Sequence, residues 1–287
     1  MLRRVIILVQ ENILPTLQHL SDDLKKHGVD TLIAANCNIN KDASVKSDAS
    51  THAETVDKAT LYITDSESAY HTLRQQGKYV LPYQHEENSD INFTGALYVI
   101  EQIEEIDYET VDMAYRRLTG LPWEILTTGR CIIRETIVED VDSFYRIYAE
   151  PEITKYMENL YADRDEEIAY IKDYQEKVYN FYGYGMWTVL TKDGTVIGRA
   201  GISWREGFEL PELGFVIGVP WQRQGYAYEV CSAILTYARG ELGMTKIQAL
   251  VMQGNNKSED LCRKLGFQYM EQTVVDGQIY SQMICYE

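Results

Sequence analysis

The sequence predicts an α/β protein of two units, the first built on a parallel sheet and the second on a mixed one. Three observations lead there. The chain has 287 residues, 45% hydrophobic and 25% charged, which is material for two cores rather than one. In the first half, short β-rich apolar runs alternate with helical patterns, the order that βαβ crossovers produce. Past about residue 130, strand patterns follow one another closely and are joined by hairpin turns, so antiparallel pairing enters.

Residues 3–9 form a continuous apolar run, as expected of a strand covered on both faces. Arg3 and Arg4 precede most of it, but it stops at Gln10, Glu11 and Asn12, too short for a signal segment or a membrane span. Residues 13–27 carry Leu14, Leu17, Leu20 and Leu24 at helical spacing, and Gly28 closes that helix. The alternation continues with a strand at 31–35, a polar segment with room for a helix up to Lys58, a strand at 60–64, a helix at 65–76, and a strand at 78–82. A further strand at 96–100 and a helix at 108–118 complete this half. Residues 36–53, rich in Asn, Ser, Asp and Lys, have the composition of a loop.

Pro122, Thr127, Thr128 and Gly129 mark a junction, dividing the chain into domains 1–125 and 126–287. The second half then reads as a strand at 131–135, helices at 139–149 and 165–179, and strands at 186–190, 195–203 and 212–217. Lys192-Asp193-Gly194 is a hairpin signal, since Asp-Gly supplies the positive φ values of a tight turn. A loop at 222–225 leads into a helix at 226–239. A strand at 246–252, a helix at 258–265 and two strands within 267–286, joined at Asp276-Gly277, close the chain.

Lys and Arg total 27 against 44 Asp and Glu, a net charge of −17, which argues against a nucleic-acid partner and for a cationic one if the partner is charged. Both halves are acidic, with 11 cations against 20 carboxylates before residue 130 and 16 against 24 from there on, so the totals alone do not locate an acidic cleft. Cys37, Cys131, Cys231, Cys262 and Cys285 are scattered singly, which suggests neither zinc nor disulfides and fits a reducing cytoplasm. All five histidines lie before residue 86, so the second half has no histidine base and no metal is expected. His85-Glu86-Glu87 lacks a second histidine at helical spacing and reads as a solvated loop. Asp163-Arg164-Asp165-Glu166-Glu167 reads as the acidic first turn of a helix, or as a lure for a cationic amine.

The chemistry concentrates after residue 212. A strand, Leu213 to Val219, runs through Pro220 and Trp221 into Gln222-Arg223-Gln224-Gly225-Tyr226-Ala227 and then a helix. Strand, tight loop and helix start bring unpaired N–H groups and the positive end of the helix dipole to one point, an anion site. Gly225 lets the backbone approach an oxyanion, while Arg223 and Gln222 can add side-chain donors. Gly225 taken alone is equally an ordinary turn residue.

This loop resembles the Gln/Arg-x-x-Gly-x-Gly/Ala pyrophosphate loop of the GNAT superfamily of acetyl-CoA-dependent N-acyltransferases. Asn255-Asn-Lys-Ser-Glu-Asp-Leu-Cys-Arg-Lys-Leu-Gly-Phe267 resembles the family's Asn-led helix, and the order of elements from about residue 130 matches its fold. Glu212-Leu-Gly-Phe215 and Gly225-Tyr-Ala-Tyr-Glu229 are most similar to the subgroup that acetylates ribosomal-protein N-termini. The resemblance implies acetyl-CoA as co-substrate, with its pyrophosphate held by the amides of Arg223, Gln224, Gly225, Tyr226 and Ala227. It also implies Ile217 and Val219 pairing with the pantetheine arm and Asn255 bonding beside it. The acceptor would be a primary amine attacking the thioester directly, with no acyl-enzyme.

Two positions depart from the family. The tyrosine that many members use to protonate the thiolate is Cys262 here, a thiol that donates or simply packs. The glutamate that some relatives place on the following strand is absent from Gln248-Ala-Leu-Val-Met252, leaving Glu212 as candidate base or as the partner of a neighbouring cation. These losses keep open a CoA-binding sensor or interaction module that transfers nothing. The first half more weakly resembles haloacid-dehalogenase-like Rossmannoid hydrolases through 20–28 and Ile63-Thr-Asp-Ser66. Its first strand ends Gln10-Glu11-Asn12 where that family needs Asp-x-Asp, so a non-catalytic scaffold, ligand-sensing or dimer-forming role is expected, with Asp65 at the ligand-binding end of the sheet. A homodimer is compatible with the chain; the sequence does not decide it.

Overall fold

The computed structural model describes residues 1–35 and 59–286, and the chain divides into two compact units, Met1–Leu121 and Pro122–Glu287. The polar segment at 36–53, and the helix with room up to Lys58, lie outside the described residues.

In the first unit the apolar runs form a four-stranded parallel sheet. Strand β1 (Arg4–Val9) pairs with β2 (Asp30–Ala35) and β3 (Thr60–Thr64), and β3 pairs with β4 (Tyr79–Pro82), giving the order β2-β1-β3-β4. Helices α1 (Gln18–Lys26) and α3 (Tyr108–Thr119) bury Leu20, Leu24, Val111 and Ala114 against Val5, Ile7 and Val9. On the other face α2 (Glu67–Gln75) packs Tyr70 and Leu73 near Leu8 and Tyr62. Burial on both faces is why β1 is continuously apolar. The strand expected at 96–100 is not formed: Ile100 makes only an isolated bridge to Tyr83.

The second unit holds an eight-stranded sheet in the order β11-β12-β10-β9-β8-β7-β6-β5. Its strands are β5 (Glu124–Thr127), β6 (Cys131–Arg134), β7 (Met186–Thr191), β8 (Val196–Ser203), β9 (Glu212–Ile217), β10 (Lys246–Met252), β11 (Gln268–Val275) and β12 (Gln278–Tyr286). Neighbours are antiparallel except β9 and β10, which run parallel and pair at a single position, Glu212 with Gln248. Beyond that position the two strands separate.

One face is covered by α4 (Val141–Tyr148), the short α5 (Pro151–Thr154) and α6 (Arg164–Tyr174), with Phe144, Ile147 and Ile171 packed against Val216. The expected helix at 165–179 ends earlier as an α-helix: Gln175–Tyr179 is a π-helical turn leading into α7 (Asn180–Tyr182). On the opposite face α8 (Tyr226–Gly240) and α9 (Asn256–Lys264) bury Val230, Cys231, Ile234 and Cys262 against Trp187, Ile197 and Leu213. The two Asp-Gly turns differ. Asp276 and Gly277 both take positive φ (50° and 76°), a two-residue hairpin turn, whereas at Lys192-Asp193-Gly194 only Gly194 does (88°), closing a three-residue loop onto Thr191.

Candidate functional site

The site begins where β9 and β10 part. Gly218 N–H donates to Ile197 O on β8, so strand alternation turns the polar backbone groups of Ile217 the other way, toward the gap beside β10, and Val219 follows just past the strand, opening the 3-10 turn Val219–Trp221. Their carbonyls are engaged at short range: Gln222 Nε2 donates to Ile217 O (2.9 Å) and Gln222 N–H to Val219 O (3.2 Å). What remains along this edge is a pair of N–H donors.

The chain then reverses into α8 through a strained loop. Arg223 takes φ 63° although it carries a side chain, and Gly225 takes φ 83°. Left-handed residues just before a helix turn successive amides toward one concavity. The N–H groups of Arg223, Gln224, Gly225 and Tyr226 have no partner among the described hydrogen bonds, and α8 adds its positive dipole end. Tyr226 and Ala227 form the first turn of α8. This donor set matches a diphosphate, and the adjoining gap matches an extended arm.

A clamp that the sequence reading missed holds the loop from outside. Arg130 Nε donates to Glu229 Oε2 (2.6 Å), Arg130 Nη1 to Gln224 O (3.0 Å), and the guanidinium lies 4.2 Å from the centre of the Tyr226 ring. Glu229 Oε1 also accepts from the Thr128 hydroxyl and Arg130 N–H. Burial opposes the Glu229 charge, but these bonds outweigh it and hold its pKa below the usual carboxylate range. The positive φ of Gly225 is what favours glycine there, since an added Cβ would only reach ordinary contact, 3.4 Å, with Arg130 Nη2.

Asn255 is the N-cap of α9, its Oδ1 accepting from Ser258 N–H at 3.2 Å. Its amide nitrogen is the group left for a ligand. Tyr156, which the sequence reading did not single out, donates its hydroxyl to Gly254 O, and Lys257 pairs with Glu152 at 2.8 Å. These contacts tie the α5 region to the start of α9.

Glu212 sits at the one pairing point of β9 and β10, 8% exposed. Burial raises its pKa, and Arg205, whose Nε donates to Oε2 at 2.9 Å, partly offsets the rise. Cys262 belongs to the core cluster that α8 and α9 cover. The thiol is fully buried in the core, and burial pushes it up to about 12. The structure thus joins Ile217, Val219, Gln222, Arg223, Gln224, Gly225, Tyr226 and Ala227 in one continuous surface, with Cys262 sealed away from it.

In the first unit Asp65 follows β3, 2% exposed, accepting from Gln10 N–H (2.9 Å) and lying 3.4 Å from His85 Nε2. The expected solvated loop is therefore corrected at His85: Glu86 and Glu87 are exposed, but the imidazole is turned inward against Asp65. Asn88 fixes that arrangement by donating to Asp65 O and Tyr83 O. Among the described residues no group of three His, Cys, Asp or Glu is arranged to hold a metal ion, and no helix is long and apolar enough to cross a membrane.

A family model for the acetyltransferase (GNAT) domain matches residues 130–268. An uncharacterized N-acetyltransferase of Bacillus subtilis, YoaA, is 30% identical over 173 residues, covering 55% of this chain and 95% of that protein. The [ribosomal protein uS5]-alanine N-acetyltransferase of Escherichia coli is 27% identical over 176 residues, 56% of this chain and 88% of that protein. Among solved structures, the ribosomal L7/L12 alpha-N-protein acetyltransferase RimL superposes with a TM-score of 0.51 at 10% identity, over 58% of this chain and 96% of that one, a likeness of fold.

Proposed function

The chain belongs to the GNAT acetyltransferase family, and from that premise we propose that it transfers acetyl from acetyl-CoA to a primary amine, a small-molecule amine or a protein N-terminus, by direct attack in a ternary complex. The observation that carries this is the run of unpartnered amides at Arg223, Gln224, Gly225 and Tyr226, at the mouth of the gap between β9 and β10. Family membership implies acetyl-CoA as the co-substrate. Its pyrophosphate lies on those amides and that of Ala227, with the Gln222 and Arg223 side chains beside it. The pantetheine arm enters the gap and pairs with the N–H groups of Ile217 and Val219, while Asn255 offers its amide nitrogen.

The amine must arrive neutral, so a base is required. Glu212 at the apex of the gap takes that proton, directly or through water, and Arg205 orients its carboxylate. Cys262, buried and hard to ionise, is a packing residue on this reading, and the leaving thiolate takes its proton from solvent. A protein N-terminus as acceptor is supported by the uS5-alanine acetyltransferase among the relatives. Met1–Leu121, which lacks an Asp-x-Asp after β1, serves as a scaffold or sensor, and phosphate release from an aryl phosphate is expected to stay at the blank level.

The test is calorimetric titration of acetyl-CoA into the full chain and into Gly225→Val, with thiol release measured over polyamines, amino acids and peptides. Gly225→Val places a β-branched residue at positive φ beside Arg130, and at least a tenfold loss of affinity is expected, about 1.4 kcal/mol or more. Undiminished binding by Gly225→Val, or no acetyl-CoA binding by the full chain, overturns the proposal.

A further inference from the structure

At the Glu212 end of the sheet the surface carries a feature that cofactor binding leaves unexplained. Tyr184 leads into β7, Trp204 follows β8, and Glu212 opens β9, so three adjacent strands bring these residues to one end. Trp204 Nε1 donates to Tyr184 Oη at 2.5 Å. The Tyr184 ring lies 6.0 Å from that of Tyr182, which in turn meets Phe181 edge-on at 4.9 Å. The result is a continuous row of four aromatic side chains. Phe181 is 79% exposed, Tyr182 52% and Trp204 51%. Single exposed apolar residues are ordinary, but four linked rings on a surface are not, and they follow the π-helical turn Gln175–Tyr179, an irregularity often found beside functional sites.

The inner end of the row adjoins the loop that holds the proposed base. Arg205, next to Trp204, is the residue that holds Glu212, and the same loop carries the exposed Glu206 and Glu209. Aromatic faces and carboxylates together suit cations on a flexible chain: rings take the stems and charges of Lys and Arg, and carboxylates attract them. A small amine would span none of this.

We infer that the row Phe181, Tyr182, Tyr184 and Trp204, with Glu206 and Glu209, is a docking track for an extended acceptor polypeptide carrying Lys or Arg residues downstream of its free N-terminus. This rests on the acetyltransferase reading and narrows its acceptor class to polypeptide. The acceptor lies along the rings and delivers its terminal amine to Glu212. Tyr184, tied to Trp204, sets the row's inner end, while Phe181 and Tyr182 form the outer end and touch neither cofactor nor base.

The experiment compares wild type with the double variant Phe181→Ala/Tyr182→Ala, whose side chains are exposed enough that folding is retained, checked by thermal unfolding. Two acceptors are used: a long peptide of N-terminal alanine followed by alternating lysine and glycine, and alanine amide. The double variant is expected to lose about tenfold or more in kcat/KM for the peptide, with the small acceptor and acetyl-CoA binding unchanged. Equal kcat/KM for the peptide in wild type and variant, or equal losses for both acceptors, overturns the docking track. Peptide binding is also read directly by quenching of tryptophan fluorescence, in wild type and Trp204→Phe. If no acceptor is turned over yet the lysine peptide binds and the double variant does not bind it, the transfer reading fails and the track stands. Binding of a glutamate-glycine peptide as tightly as the lysine peptide overturns the assignment to cationic partners.

Discussion

At the scale of single residues, Glu212 and Arg205 make the sharpest test of the mechanism. A base must be ionised to work, so kcat/KM falls on the acid side as pH drops through the Glu212 pKa. Burial raises that pKa and Arg205 lowers it, the net result being a rise. Arg205→Met removes the lowering part and leaves the burial, so the acid limb of the kcat/KM profile is expected to move to higher pH. Glu212→Gln is expected to remove the limb and about 10²- to 10⁴-fold of the rate, a typical contribution of a positioned base. A limb that stays in place in Arg205→Met assigns the base elsewhere. The pairing itself was half legible: the sequence offered Glu212 as base or as partner of a cation, and the side chain is bonded to Arg205 at the apex of the gap. Nothing in a linear pattern distinguishes those options, because Arg205 approaches from the far side of a loop.

Among the elements, α9 shows how a family position can change its work. Cys262 is the one fully buried side chain of this nine-residue helix, packed in the core with Phe267 and Met283. Cys262→Ser puts a hydroxyl where no partner awaits it and is expected to cost about 1–3 kcal/mol in chemical denaturation, with kcat nearly unchanged below the transition. A large loss of kcat without loss of stability returns Cys262 to the chemistry. Elements with a strong apolar pattern, the unbroken run of β1 or the helical spacing of α8, were legible because burial writes itself into the sequence. Those set by their neighbours were not. β5, Glu124-Ile-Leu-Thr127, is four residues between Pro122 and Gly129 and reads as a junction; pairing with β6 makes it a strand. Residues 96–100 look like a strand but have only Tyr83 to pair with. The Arg130–Glu229 clamp was equally hidden, since its partners are 99 residues apart. The anion loop, by contrast, is local, and local geometry is what a motif records.

For the whole molecule, the question is whether the transferase depends on the first unit. Pro122–Glu287 contains the complete eight-stranded sheet, its helices on both faces, and every residue assigned to acetyl-CoA, base or docking track. With 166 residues it is large enough for a core of its own. Residues 122–287 expressed alone are therefore expected to fold cooperatively and bind acetyl-CoA within about threefold of the full chain, since a compact domain carries its own binding surface. Starting the fragment at residue 130 instead removes β5 and Thr128, which bonds Glu229 and so supports the loop clamp. That shorter fragment is expected to unfold at lower temperature and to bind acetyl-CoA more weakly, the two effects being read by thermal unfolding and calorimetry. Equal behaviour of the two fragments would show that β5 and Thr128 add nothing to the clamp that Arg130 and Glu229 form by themselves. A full-length chain that binds acetyl-CoA while the 122–287 fragment, shown to be folded, does not would place part of the site outside the second unit.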